Sequence, residues 1–339
     1  MKNIRMSIIG FLAAAFILSI SPPAHSQQQP LESHNPANLS GQSENSYLNL
    51  MLGLRKYFNS FTSWQLPNKG GPQDPVSRLE YPWDQTFLAI GAEASYYSLE
   101  AKLEWSGTLG VLSNPKAQDS DWLDPNNQNQ KTTFSEGEAK PKCWIMDLSC
   151  NGQVPGISFL SGVVGYRLSQ FKFTNTNGYQ YNIYNERSGL YEYSSLPLPG
   201  AFIEFSQYYK QFYGGAILKS SLDSGAISGG LRLPPVILRL QADASYVTGD
   251  SHDEHLLRYA FGIIRSTGVG WHVNLTAGFN TGRFRFDLQG DIRGIQTRGQ
   301  INSIQEDEEV AGLIHDYYVD GAKAWSEQKY LGINGTIFF

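Results

Sequence analysis

Two short segments of the chain carry side chains that can move protons. One is Asp253-Glu254-His255, closing the stretch Val236 to His255; the other is Asp119-Ser120-Asp121-Trp122-Leu123-Asp124, far upstream in a polar region. Residues two apart in an extended chain share a face. That sets a carboxylate beside an imidazole in the first segment and two carboxylates together in the second. An imidazole held by a carboxylate can take a proton from water, because the ion pair stabilises the imidazolium that forms. Two close carboxylates tend to keep one proton between them, since both cannot ionise cheaply. Taken singly, each segment also fits a polar turn, a loose cation site or a solvated loop.

The element that must present Asp253 and His255 is written in period two. Val236, Leu238, Leu240, Ala242, Ala244 and Tyr246 alternate with Arg239, Gln241, Asp243 and Ser245, so one face of an extended strand meets an oily medium and the other meets water or polar groups. Carried upward without a bulge, the polar phase reaches Ser251, Asp253 and His255. The chain's start says which medium is oily. Lys2 and Arg5 precede the apolar run Met6 to Ile20, then come Ser21-Pro22-Pro23 and the small-residue site Ala24-His25-Ser26, the pattern of a cleaved secretory signal over residues 1–26. No later apolar run is long enough for a spanning helix. Aromatics make up 13% of the chain and the formal net charge is only -5, which gives no basic footprint for nucleic acid. Alternating strands on an exported chain predict an all-β fold, a transmembrane antiparallel barrel in the bacterial outer membrane with its apolar face on lipid.

Residues 27–45, rich in Gln, Asn, Ser and Pro, are expected to form a flexible periplasmic tail, and residues 46–339 the barrel. Ten strands are predicted. They begin at Ser46, run over Ser77 to Tyr96, start again at Leu99, and continue through Lys142 to Cys150, Ile157 to Phe173 and a part of Ala201 to Ser221. Val236 to His255, Trp271 to Asn280, the stretch from Phe284 and Tyr330 to Phe339 complete them. Glu100, Lys102 and Glu104, and again Arg285, Asp287, Asp291 and Arg293, lie in the polar phase; a dry core would reject these charges, whereas a watery or ion-paired lumen accepts them. Alternation of short turns with long loops assigns 59–76, 113–141, 174–200, 249–268 and 299–329 to extracellular loops, so both proton-moving segments are expected on outer loops.

With these residues in place the sequence resembles the omptins, outer-membrane aspartate-histidine endoproteases built on ten-stranded barrels. Asp119-Ser120-Asp121-Trp122-Leu123-Asp124 resembles the family's Asp-x-Asp-Trp-x-Asp segment, and Asp253-Glu254-His255 its Asp-Glu-His segment. Ser77-Arg78-Leu79-Glu80, Gly165-Tyr166 and the closing aromatic strand add support. The resemblance implies an endopeptidase in which His255 is the base, Asp253 orients it, and the facing Asp119 and Asp121 hold the attacking water. No cofactor or metal is implied, and a metal site at His252 and His255 lacks compact ligand spacing. The partners implied are outer-membrane lipid and a peptide or protein substrate at the cell surface.

The sequence departs from the family in two places. Some omptins bind lipopolysaccharide through a Tyr-x-Glu-x-Arg pattern; the matching positions are Tyr166, Leu168 and Gln170, so that binding is not carried over. Some members place an acid two positions before the Asp-Glu-His segment, where it receives a basic side chain; here that position is Ser251, and adjacent Asp250 points the other way. Glu306 to Glu309 reads as a solvated loop face. Cys143 and Cys150, on one straight strand, would stand roughly 23 Å apart, beyond the reach of a disulfide, and two free thiols are expected. The alternative to the protease is a non-enzymatic barrel, a small porin or a surface-binding protein sharing only the architecture.

Overall fold

The structure, a computed structural model, describes residues 47–66, 76–109, 115–122, 131–185, 190–222, 234–257, 260–306 and 314–339. The expected signal segment and tail lie outside the described residues. Thirteen strands follow one another: β1 (Tyr47–Tyr57), β2 (Phe61–Gln65), β3 (Val76–Pro82), β4 (Thr86–Tyr96), β5 (Leu99–Thr108), β6 (Lys116–Trp122), β7 (Lys131–Gln153), β8 (Leu160–Asn185), β9 (Leu190–Leu222), β10 (Val236–His255), β11 (Ala260–Thr281), β12 (Phe284–Glu306) and β13 (Ile314–Phe338). Every pairing is antiparallel, and β1 closes the ring on β13 from Asn49↔Phe338 to Tyr57↔Tyr330.

Three staves of this barrel are interrupted. β1 and β2 run end to end along β13, β4 and β3 follow beside them, and β5 and β6 complete the broken sector against β7. Joining each pair makes a ring of ten staves, the number the alternation predicts. At the first break Asn59 takes a left-handed backbone (φ 47°), an ordinary place for Asn. Trp83 N–H donates to Ser60 C=O across the first two breaks at 2.8 Å, so the interruptions remain hydrogen-bonded to each other.

The expected loops start later than the polar composition predicts. Asp119 and Asp121 lie on β6, not on an outer loop, and Asp253 and His255 lie on β10; the strand expected at Lys142 to Cys150 extends from Lys131 to Gln153. The physical reason is that a strand above the lipid belt needs no apolar outer face: its outer side meets water, and the ladder sustains it. In the β10 stave the predicted phase holds. Its ladders to β9 and β11 run without a register shift.

Leu48, Leu50, Leu52 and Leu54 on β1, Val269, Trp271, Val273 and Leu275 on β11, Phe284, Phe286 and Leu288 on β12, and Leu331, Ile333 and Ile337 on β13 all point outward and are exposed. They form an apolar belt, the surface a bilayer covers. Inside the belt the charged rows pair with one another. Arg55 bridges Glu104, Lys102 reaches Glu104 at 3.0 Å, Arg285 reaches Asp287 at 2.9 Å, and Arg167 reaches Asp147 at 2.6 Å. His272 stands between Asp243 at 2.6 Å and Asp291 at 2.7 Å. Lys102, Glu104, Asp147, His272, Arg285 and Asp291 line a cavity of about 130 Å³. Tyr57, Trp83, Phe87, Phe171 and Tyr330 pack in a buried aromatic layer with centroids 4.5 to 5.0 Å apart along the chain of contacts Phe87, Tyr57, Trp83 and Phe171. Cys143 and Cys150 are both free, the first buried and the second exposed.

Candidate active site

Above the aromatic layer, β10 carries Ser251, Asp253 and His255 on its inner face, while His252 and Glu254 between them are exposed on the outer one. Asp253 Oδ2 and His255 Nε2 are 2.9 Å apart, and the side chains retain only 8% and 15% of their exposure. The spacing of two along a strand makes this contact without any loop having to fold back. Ser251, one step below, is buried, and its Oγ has no hydrogen-bond partner among the described residues.

Asp119 and Asp121 come from β6, whose ladder sets Asp119 opposite Leu79 and Asp121 opposite Ser77 of β3. Directly paired residues of an antiparallel ladder share a face, and Leu79 is buried in the lumen, so both acids face inward. The break between β5 and β6 makes this possible. On β5 the even positions Glu104 and Ser106 are buried, whereas on β6 Ala117 and Ser120 are both buried and it is the pairing of Asp119 with Leu79 that sets the odd phase inward; the interruption resets the phase. From β6 to β10 the ring counts four staves in one direction and six in the other. The two acid-bearing strands therefore face each other across the lumen.

Tyr81 of β3 is fully buried two positions along the strand from Leu79. Its ring is stacked on Phe205 of β9 at 4.6 Å and 3° and on Phe173 of β8 at 4.7 Å, and Asn175 Nδ2 donates to its hydroxyl oxygen at 3.3 Å. Burial, then the Asp253 carboxylate, then that of Asp119, hold the phenol well above its ordinary pKa. One fully buried hydroxyl thus feels both acid segments. Below it the Thr62 hydroxyl donates to the Gln207 amide oxygen, and Gln207 Nε2 donates to the Ser63 carbonyl at 3.2 Å. Sequence reasoning missed Tyr81 and Asn175. An aromatic residue in an alternating strand reads as wall packing, and only the fold shows that it stacks on Phe173 and Phe205 beside Asn175.

The sequence model of the Omptin family matches residues 72–262, from β3 through the start of β11. The chain belongs to the omptin family. Asp119 to Asp121 and Asp253 to His255 both fall inside the match, and membership carries the coarse assignment with it, a bacterial outer-membrane protease. Among solved structures, the outer membrane protease OmpT from Escherichia coli superposes with a TM-score of 0.67 at 17% identity, covering 86% of this chain and 97% of that one. That likeness shows the barrel fold. The translocator domain of the autotransporter NalP from Neisseria meningitidis is also similar, with a TM-score of 0.34 at 7% identity, over 87% of this chain and 89% of that chain. None of the curated proteins compared with the chain matches it.

Proposed function

We propose that this omptin is an endopeptidase that cleaves peptide bonds at the extracellular mouth of the barrel by attack of water. In this reading His255 takes a proton from the water as its oxygen adds to the scissile carbonyl carbon. Asp253 stabilises the imidazolium, and the C–N bond then breaks as the proton passes to the departing amine. Asp119 and Asp121, from the opposite wall, hold the water and keep one proton between them. The substrate is a peptide or protein segment presented at the cell surface.

The observation that carries the reading is the Asp253–His255 contact at 2.9 Å, on a strand that faces the Asp119–Asp121 strand across the lumen. Asp253→Ala and His255→Ala are expected to lower cleavage of a fluorescence-quenched peptide library by at least about a hundredfold each. The heat-modifiable migration of the folded barrel should not change. Cleavage that persists in both variants rules the mechanism out.

A further inference from the structure

Beneath the dyad, opposite walls of the barrel touch. Counted from the stave of β1 and β2, β9 is the fifth stave whichever way the ring is followed, so Thr62 and Gln207 stand on opposite walls. Yet the Gln207 amide reaches across: its oxygen accepts from the Thr62 hydroxyl, and its Nε2 donates to the Ser63 carbonyl at 3.2 Å. A second contact runs beside the first. Tyr81 is the ladder partner of Thr62, Phe205 is the next inward residue along β9 from Gln207, and the Tyr81 and Phe205 rings are stacked at 4.6 Å. Thr62, Tyr81, Phe205 and Gln207 are at most 1% exposed. The β9–β10 ladder fixes the height of this double contact, since Phe205 pairs with Asp253 and Gln207 with Ser251. The lumen is therefore filled beside Asp253 and one inward position below it.

We propose that Gln207 is a specificity-determining residue: it makes the cleft floor shallow and restricts cleavage to bonds flanked by a small side chain, that of Gly, Ala or Ser. In an extended peptide successive side chains point to opposite faces, so a bond presented to His255 from the mouth sends one flanking side chain down toward this floor. A methyl or hydroxymethyl group needs little depth there. A leucine or methionine side chain would need the volume that Gln207 and Phe205 occupy. Gln207 cannot swing aside without leaving its own amide and the Thr62 hydroxyl unpaired inside the protein, which is costly, and Phe205 is held by its stack on Tyr81. Thr62, Ser63, Phe205 and Gln207 carry no charge, so size and not charge sets the choice.

The inference rests on the endopeptidase reading, and one set of measurements on the full-length protein in detergent micelles separates their failures. The best-cleaved member of the quenched peptide library should carry Gly, Ala or Ser beside the cleaved bond. Remade with Leu at that position and mixed with the parent peptide, it should be cleaved with a kcat/KM about ten- to a hundredfold lower. Gln207→Ala should narrow that ratio about tenfold. Thr62→Ala, which releases the amide from the far wall, should narrow it less. A substitution that merely loosens the barrel slows both peptides alike, so the ratio and not the rate is the readout. Thr62→Ala carries the test if Gln207→Ala lacks the heat-modifiable migration of a folded barrel. Large residues on both sides of the bond in the best substrate, or an unchanged ratio in the folded variant, overturn the role of Gln207 and leave the endopeptidase standing. A wild-type barrel that cleaves nothing in the library overturns both.

Discussion

Ser251 shows how a single residue could redirect the proposed active site. It occupies the inner face of β10 one step below Asp253, buried, with an Oγ that has no partner among the described residues. Its ladder neighbours are Gln207 on β9 and Ile264 on β11; neither carries charge. In the omptins that place an acid here, the acid receives a basic side chain. A neutral wall gives a guanidinium or ammonium nothing to replace its hydration, so the wild type should show no preference for Arg or Lys beside the cleaved bond. Ser251→Asp should raise kcat/KM for Arg- and Lys-containing peptides about tenfold relative to neutral ones, read from competing substrates in one mixture. An unchanged ratio would mean that position 251 does not contact the residue next to the scissile bond. That Asp253 stands beside His255, and Asp119 on the same strand as Asp121, was legible from the linear chain because a spacing of two sets side chains on one face of a strand. Tyr81 and Asn175 were not, since their significance lies in contacts among β3, β8 and β9 that no local pattern encodes.

At the scale of elements, period two predicted which residues line the lumen wherever a stave is unbroken. The phase of β10 runs uninterrupted from Arg239 to His255 on its inner face. The broken staves are different. Extending the phase of Glu100, Lys102 and Glu104 upward by counting would turn Asp119 and Asp121 toward the outside, and only the interruption between β5 and β6 brings them in. Trp83 occupies the corresponding interruption between β3 and β4. It is fully buried, 4.9 Å from Tyr57 and 5.0 Å from Phe171 by ring centroids, and its backbone N–H ties the break to Ser60. The Trp83 side chain is therefore a packing element where ladder hydrogen bonds are missing. Trp83→Ala should lower barrel stability by about 3–5 kcal/mol, measured by urea unfolding in micelles and by the temperature at which the compact form is lost. A change within measurement error would show that the layer relaxes around the vacancy and that the breaks are held by their backbone bonds alone.

For the whole molecule, the apolar belt and the ten staves follow directly from alternation on an exported chain. Whether the lumen is open is a separate question, because polar inward residues are required equally by a water-filled pore and by an ion-paired plug. Two layers argue for closure. In the belt, Arg167–Asp147, Lys102–Glu104, Arg285–Asp287 and His272 between Asp243 and Asp291 satisfy one another at 2.6 to 3.0 Å, so a passing ion would find charges already neutralised by fixed partners. Above them Tyr57, Trp83, Phe87, Phe171 and Tyr330 are fully or almost fully buried, and an ion crossing that layer would lose hydration with little to replace it, at a cost of several kcal/mol or more. Purified protein inserted into planar bilayers should therefore show no steady conductance steps. Tyr57→Ala combined with Trp83→Ala should admit intermittent ones, because the layer then loses two of its rings while the wall stays intact. Large, steady steps from the wild type would instead favour the porin-like alternative, since a lumen that passes ions freely has no aromatic seal beneath its mouth.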